Sequence, residues 1–283
     1  MFVNIVTNSG LINLESETFY QMAELSKSLV SNEAAALVEN PEGSSRIILI
    51  CEHAGQKIPE YLGSLGFDDE TMSTHIGWDI GAAALARELS KQLDAALILQ
   101  RYSRLVYDCN RAFDAFDAIV EESDHVAIPH NIGLSLAQRR RRFDVVYQPF
   151  HDAVAGLVEQ RLQAPQKPVI VTIHSFTPLY KGQRRTLDLG ILHDDDTRLA
   201  DVIVELSDKD AAYSSARNQP YSPKDGCMHT IITHGIQHGL LNLMLEVRND
   251  LITDAKGQQQ WAQRIAELLT AALGVESGSM ENL

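Results

Sequence analysis

The chain has few cysteines and no long apolar run. Its 283 residues include three cysteines, Cys51, Cys109 and Cys227, with no CxxC spacing. This usage indicates a reducing compartment and argues against a disulfide framework. No apolar stretch approaches the roughly 18 residues that suggest a membrane span, and the first residues lack the basic start and apolar centre of a signal peptide. We therefore expect a cytoplasmic protein with no membrane partner.

Basic residues are also scarce. The 24 Lys and Arg residues are outnumbered by 38 Asp and Glu residues, which gives a net charge of −14. We therefore do not expect nucleic acid as a partner. The basic run at 139–142 falls in a segment with helical spacing, and a solvated helix face explains it better than a nucleic-acid site. A few local arginines can still attract a small acidic molecule. The composition gives no indication of the oligomeric state.

Short apolar runs alternate with amphipathic stretches through most of the chain. The runs at 46–51, 168–173 and 243–247 are typical of buried strands in a parallel sheet. The runs at 95–99 and 105–107 are predicted to be short strands. The stretches at 79–93 and 255–273 have the spacing of amphipathic helices. This alternation predicts an α/β fold with a mostly parallel central sheet and helices on both faces.

We expect three parts along the chain. Residues 1–44, in which positions 19–30 show helical spacing, form an N-terminal extension packed on the core. Residues 45–275 form a single α/β hydrolase-type domain, which is long enough to bury a core. Residues 276–283 form a frayed tail.

Three of the predicted strands carry reactive side chains at or just beyond their ends. His53 follows the first strand, His174 follows the second, and Glu246 lies inside the third. Open α/β sheets bind ligands outside the carboxyl ends of their strands, so we expect these side chains at one edge. A hydrolytic zinc site usually has three protein ligands and an open position. The pattern is therefore typical of a metal-assisted hydrolase.

Spacing alone leaves the third ligand and the role of Glu246 open. Asp79 begins a predicted helix, where it either caps the helix or ligates the metal. His75, four residues earlier, is another candidate, as a ligand or as a partner of one. Glu246 either pairs with Arg248, which lies two residues along the same strand face, or acts as a general base.

Five segments of the chain together resemble the N-formylglutamate amidohydrolase family and appear in the family's order: 51–55, 75–79, 102–111, 173–176 and 246–250. The resemblance covers most of the chain, from about residue 47 to residue 266. The family is similar to zinc carboxypeptidases and aspartoacylases. It therefore implies a carboxypeptidase/phosphorylase-hydrolase-like fold with one zinc ion at the edge of the sheet.

The resemblance implies a metal site with one departure from the relatives. Those proteins usually take two ligands from a His-x-x-Glu motif, whereas Gln56 stands three residues after His53. His53 and His174 are the implied histidine ligands, and Asp79 is the candidate for the remaining position.

Roles for the other motif residues also follow from the resemblance. Glu246 is implied as the general base, and Arg104 as the group that polarises the scissile carbonyl. Asn110 and Arg111 are implied as the clamp for a substrate carboxylate, a task that suits directional amide and bidentate guanidinium contacts.

Two alternatives accompany these roles. Both arginines could merely pair with a surface carboxylate, Asp108 or Asp114. Tyr221, in the segment 218–226, is implied to lie near the substrate, although turn chemistry alone accounts for that segment.

The resemblance implies a zinc-dependent hydrolase that acts on a linear amide C–N bond of a small N-acyl amino acid. The simplest substrate is N-formyl-L-glutamate or a related acidic amino acid. One alternative is an amidase for a different N-acyl amino acid. The other is a non-catalytic carboxylate-binding protein that keeps the fold with an incomplete metal site.

Overall fold

The computed structural model describes residues 2–7, 10–15 and 34–280, with side chains from 34 to 274. The strands in these ranges are β1 (Phe2–Thr7), β2 (Gly10–Glu15), β3 (Ala36–Glu39), β4 (Ile47–Cys51), β5 (Ala96–Gln100), β6 (Glu122–Ser123), β7 (Val126–Ala127), β8 (Val169–Phe176), β9 (Leu179–Tyr180), β10 (Gln183–Arg184), β11 (Leu189–Leu192), β12 (Ser215–Arg217) and β13 (Asn242–Arg248). β1 and β2 form an antiparallel pair. The helical stretch predicted at 19–30 lies outside the described residues.

Seven of the strands form the central sheet, in the spatial order β12-β11-β13-β8-β4-β5-β3. The pairs β13–β8, β8–β4, β4–β5 and β11–β12 are parallel. The pairs β11–β13 and β3–β5 are antiparallel. The prediction of a mostly parallel central sheet is therefore confirmed.

The helices are α1 (Asp69–Met72), α2 (Ala82–Leu93), α3 (Leu136–Arg142), α4 (Gln148–Leu162), α5 (Arg198–Ser207), α6 (His229–His234) and α7 (Ala255–Met280), with a π-helical turn at Phe143–Tyr147 and 3₁₀ turns at Glu60–Leu62, Phe116–Ala118, Pro129–Asn131, Pro223–Asp225, Ile236–His238 and Asn249–Leu251. α7 extends into the segment for which we predicted a frayed tail. The division into an extension, one domain and a tail stays a prediction. Within the described ranges, none of the helices has the length and apolar character needed to cross a membrane.

Alternating residues of the central strands face two separate apolar cores. On one face, Leu49, Val171 and Leu245 pack with residues of α2, α5 and α7. On the other face, Ile50 and Ile170 pack with residues of α4 and of the turns that follow β5. Helices therefore cover both faces of the sheet, as the continuous apolar strands predicted.

The parallel strands bring three sequence motifs to one edge of the sheet. β4 ends at Cys51, directly before Glu52 and His53. β8 and β13 run beside it in parallel, and His174 is the register partner of Glu246. Because the carboxyl ends of parallel strands meet at one edge, this register is what assembles the candidate site.

Candidate active site and metal centre

The three predicted metal ligands lie together. His53, Asp79 and His174 are all buried, and one ligand atom from each lies within 4.8 Å of the others. His174 Nδ1 is 2.8 Å from Asp79 Oδ2, and His53 Nδ1 is 3.4 Å from the same oxygen. No hydrogen-bond partner of His53 Nδ1 occurs among the described residues. Two nitrogens and one carboxylate oxygen thus converge on one buried point, a donor set that suits zinc.

Asp79 reaches this point because the chain folds back before α2. Its backbone N–H donates to the carbonyl of His53, with a distance of 3.0 Å. Its Oδ2 accepts from the backbone N–H of Ser175 at 3.3 Å. The residue that caps α2 is Gly81, and no side chain bonds the cap. The alternative role of Asp79 as the helix cap is therefore not the one that it has here.

Each histidine is also held by a second carboxylate. His53 Nε2 lies 2.8 Å from Asp108 Oδ1, and His174 Nε2 lies 3.1 Å from Glu52 Oε2. Such carboxylate–histidine contacts fix the ring orientation of metal ligands and raise their basicity. The sequence predicted Asp108 only as a possible partner of the arginines, and Arg104 does contact it. No role was assigned to Glu52, although a charged residue between an apolar strand and a candidate ligand is a signal that could have identified this carboxylate.

The charges around this point favour a cation. Arg104 donates to Asp79 Oδ1 at 3.2 Å and to Asp108 Oδ2 at 3.3 Å. Burial acts against a charge on His174, but Glu52 and Asp79 outweigh it and raise the pKa of His174 well above its usual value. With neutral histidines, the carboxylates of Glu52, Asp79 and Asp108 lie buried around this point, and Arg104 pairs with only the last two. Uncompensated buried charge is costly. A divalent cation would offset the excess.

Glu246 is buried, with 5% of its surface exposed, and lines the same cavity. Arg248, the alternative partner, instead binds Asp188 and Asp250 at 2.9 and 2.7 Å. Within the described residues, Glu246 Oε2 has no hydrogen-bond partner. Burial raises the pKa of Glu246 to about 7, an effect that His174 partly offsets. The carboxylate is therefore not part of a structural ion pair with Arg248.

The segment that carries the two motif arginines forms turns, so the short strand expected at 105–107 is wrong. Arg111 donates to Asp117 at 2.8 Å. Asn110 is buried, and it donates to the carbonyl of Cys227 at 2.6 Å and accepts from the N–H of Thr230 at 3.2 Å. Asn110 thereby joins this segment to α6 and to the loop before it.

A single cavity brings all eight predicted site residues together: His53, Asp79, Arg104, Asn110, Arg111, His174, Tyr221 and Glu246. Tyr221 enters it from the loop after β12. Gly190 in β11 makes this approach possible, because a Cβ at that position would clash with the carbonyl of Gln219. His75 also lines the cavity, where its Nε2 lies 3.1 Å from Asp124 Oδ2.

A second group of histidines lies between α4 and α6, outside this cavity. His151 Nδ1 and His234 Nε2 are 2.9 Å apart, and His151 Nε2 lies 2.8 Å from the carbonyl of Cys109. Burial lowers the pKa of His151 to about 3 and that of His234 to about 4. His234 adds to the shift of His151, and His229 adds to the shift of His234. These histidines are therefore neutral at pH 7.

Comparisons with known proteins agree with the motifs. The profile of the N-formylglutamate amidohydrolase family matches residues 45–253. A gene product of Agrobacterium tumefaciens is 43% identical, with a TM-score of 0.84 over 87% of this chain and 97% of that one. The N-formylglutamate amidohydrolase from Ralstonia eutropha JMP134 is 21% identical, with a TM-score of 0.67 over 87% of this chain and 100% of that one. No curated protein sequence matches the chain.

Proposed function

The chain belongs to the N-formylglutamate amidohydrolase family, as its motifs predicted, and from that premise we propose that it is a zinc-dependent hydrolase of N-formyl-L-glutamate. Water would cleave the amide C–N bond and release formate and L-glutamate. The observation that supports this most is the presence of a buried His–Asp–His group, a buried carboxylate and two arginines in one cavity.

His53, Asp79 and His174 would hold the metal. They fit one because they offer a mixed nitrogen and oxygen donor set, because His53 Nδ1 has no hydrogen-bond partner in the described part of the chain, and because the surrounding charge is negative. A bound zinc ion supplies Lewis acidity, which polarises a carbonyl and makes water easier to deprotonate. Asp79 would supply the third donor that Gln56 does not, and its convergence with both histidines argues against the alternative of an incomplete site.

Glu246 would act as the general base. It would take a proton from the attacking water and return it to the leaving nitrogen, so that the amine departs neutral. Arg104, held in place by Asp79 and Asp108, would direct a charged donor at the developing oxyanion. Asn110 and Arg111 would bind the α-carboxylate of the substrate and so fix the position of the scissile amide relative to Glu246.

Formate release from N-formyl-L-glutamate, with zinc present, tests the proposal directly. We expect turnover that a chelator removes and that added zinc restores. N-acetyl- and N-succinyl-L-glutamate, assayed beside it, distinguish a deformylase from an amidase for another acyl group. Failure of the zinc-loaded protein to hydrolyse any of the three would overturn the proposed activity.

The same proposal includes a location and a partner class. The three cysteines are free, as expected in a reducing compartment, and we propose a cytoplasmic enzyme whose partner is a small N-acyl amino acid.

A further inference from the structure

Arg185 follows the β9–β10 hairpin and is half-buried behind the aromatic wall of the cavity. Its guanidinium carbon lies 4.5 Å from the ring centre of Tyr180, 5.0 Å from that of Tyr221 and 5.9 Å from that of Phe176. All three rings line the candidate active site. A positive charge therefore stands at the edge of the cavity, among groups that exclude water.

The guanidinium of Arg185 differs from those of the other two arginines at the site in its partners. Arg104 binds Asp79 and Asp108, and Arg111 binds Asp117. Arg185 has no carboxylate within 4.0 Å among residues 34–274, and its side-chain hydrogen bond goes to the hydroxyl of Tyr221 at 3.1 Å. A half-buried guanidinium with neutral partners has the capacity to bind an anion.

Tyr221 connects this charge to the cavity. Its hydroxyl oxygen accepts from Arg185, which leaves the hydroxyl proton free to be donated elsewhere. Burial raises the pKa of Tyr221 to about 12, so the hydroxyl stays protonated at neutral pH. Arg185 and Tyr221 can thus offer two donors to one carboxylate, one of them charged.

We propose that Arg185, together with Tyr221, forms the subsite for the second carboxylate of the substrate and makes the protein selective for acidic N-acyl amino acids. This inference rests on the proposed function, in which Asn110 and Arg111 take the α-carboxylate. An acidic side chain would then complete the contacts of Arg185. A neutral side chain of the same shape would make no charge-assisted contact with the guanidinium, so the selectivity comes from a contact that only an anion gains.

A binding measurement tests the subsite without turnover. L-Glutamate and L-glutamine have nearly the same shape and differ in the charge of the side chain. We expect zinc-loaded wild-type protein to bind L-glutamate at least about 10-fold more tightly by calorimetry, the factor expected for a hydrogen bond to a charged group. Arg185→Met should remove this preference by weakening glutamate binding, while glutamine binding stays within about 2-fold.

Two further variants control for structural effects. Arg184→Ala removes the neighbouring exposed arginine and should keep the wild-type preference. Arg185→Lys keeps the positive charge and should retain part of the preference for glutamate. If the Met variant lost the preference only through misfolding, the charge at this position would not matter. Retention of the full glutamate preference in Arg185→Met, or no preference in the wild type, overturns the subsite.

Kinetics separate this inference from the proposed function. If wild-type protein hydrolyses N-formyl-L-glutamate, Arg185→Met should raise KM for it by about 10-fold or more and leave kcat/KM for N-formyl-L-glutamine nearly unchanged. If the wild type hydrolyses N-formyl-L-glutamate and Arg185→Met keeps the wild-type ratio of kcat/KM for the glutamate and glutamine substrates, the subsite alone is contradicted. Absence of hydrolysis in the wild type would contradict the proposed function, and the binding ratios would still decide the subsite.

Discussion

Two pairs of buried histidines in this chain have opposite electrostatic surroundings. His53 and His174 lie among Glu52, Asp79 and Asp108, and these carboxylates raise the pKa values of both rings although burial alone would lower them. His151 and His234 lie against each other and near the ring of His229. Burial lowers the pKa values of both rings, and Glu52 offsets this only in part. Burial is common to both pairs, so the difference lies in the neighbouring charges.

This contrast shows why only one pair suits a cation. Negative partners attract a metal and orient the ring nitrogens toward it. No carboxylate of residues 34–274 directly contacts the pair at α4 and α6. Counting histidines, or noting that they are buried, would not have separated the two pairs. Four experiments can break or sharpen the comparison.

The largest expected effect is the loss of the metal. His174→Ala removes one nitrogen donor and should abolish both stoichiometric zinc and hydrolysis, as measured by metal analysis of the purified protein and by formate release. His151→Gln changes a histidine of the other pair and should keep its zinc. Full metal content in both His174→Ala and His53→Ala would show that the metal assignment is wrong.

Glu246→Gln separates the base from the metal. The amide keeps the shape of the side chain but cannot accept the proton, so kcat should fall by at least about 10²-fold, the lower end for general acid–base catalysis. Zinc should stay bound, because Glu246 is not among the proposed ligands. Turnover at the wild-type rate would exclude this residue as the base, whatever the metal content.

Asp108→Asn makes the surroundings of His53 more like those of His151. The amide lacks the negative charge that orients the His53 ring and raises its basicity. Zinc affinity should therefore fall by about 10- to 100-fold, the range seen when partners of metal ligands are removed. Competition with a chelator measures the change. Asp114→Asn, at an exposed position in the same loop region, is the matched control, and an equal effect of both variants would refute the specific contact.

The smallest effect concerns stability toward acid. In the folded protein the pKa of His234 is about 4, below the value of about 6.5 expected when unfolded. The unfolded chain therefore binds this proton first, and the stabilisation present above about pH 6.5 is lost as the pH falls toward 4. In metal-free protein, His234→Gln should reduce the slope of unfolding free energy against pH by up to about 1.4 kcal/mol per unit. Urea unfolding at several pH values measures this slope. Equal slopes for the variant and the wild type would contradict the prediction.

The sequence predicted the parts of the site that depend on local pattern. His53, His174 and Glu246 could be placed because short apolar strands are visible in the sequence and parallel strands share an edge. Asp79 was also brought to the predicted edge, although the fold-back that carries it to His174, 95 positions along the chain, could not be inferred from spacing.

The parts that were missed depend on side-chain direction and on loops. Glu52 and Asp108 act through contacts with histidines, and those contacts require the tertiary fold. Arg185 lies beyond a two-strand hairpin with no motif to mark it, and the pairing of His151 with His234 spans 83 positions. The segment at 105–107 was wrongly predicted as a strand because three apolar residues look alike in a strand and in a buried turn.

Gly190 gives substrate choice an indirect control point. It lies opposite Glu246 in the sheet, and its missing side chain makes room for the backbone at Gln219, two residues before Tyr221. An alanine at position 190 would push the backbone at Gln219 away from the sheet and move Tyr221 with it. One methyl group outside the cavity could therefore change which substrates are accepted. The same methyl group would stand 3.1 Å from Cβ of Glu246, so exchange of this one small residue could affect both the substrate that is accepted and the position of the proposed base.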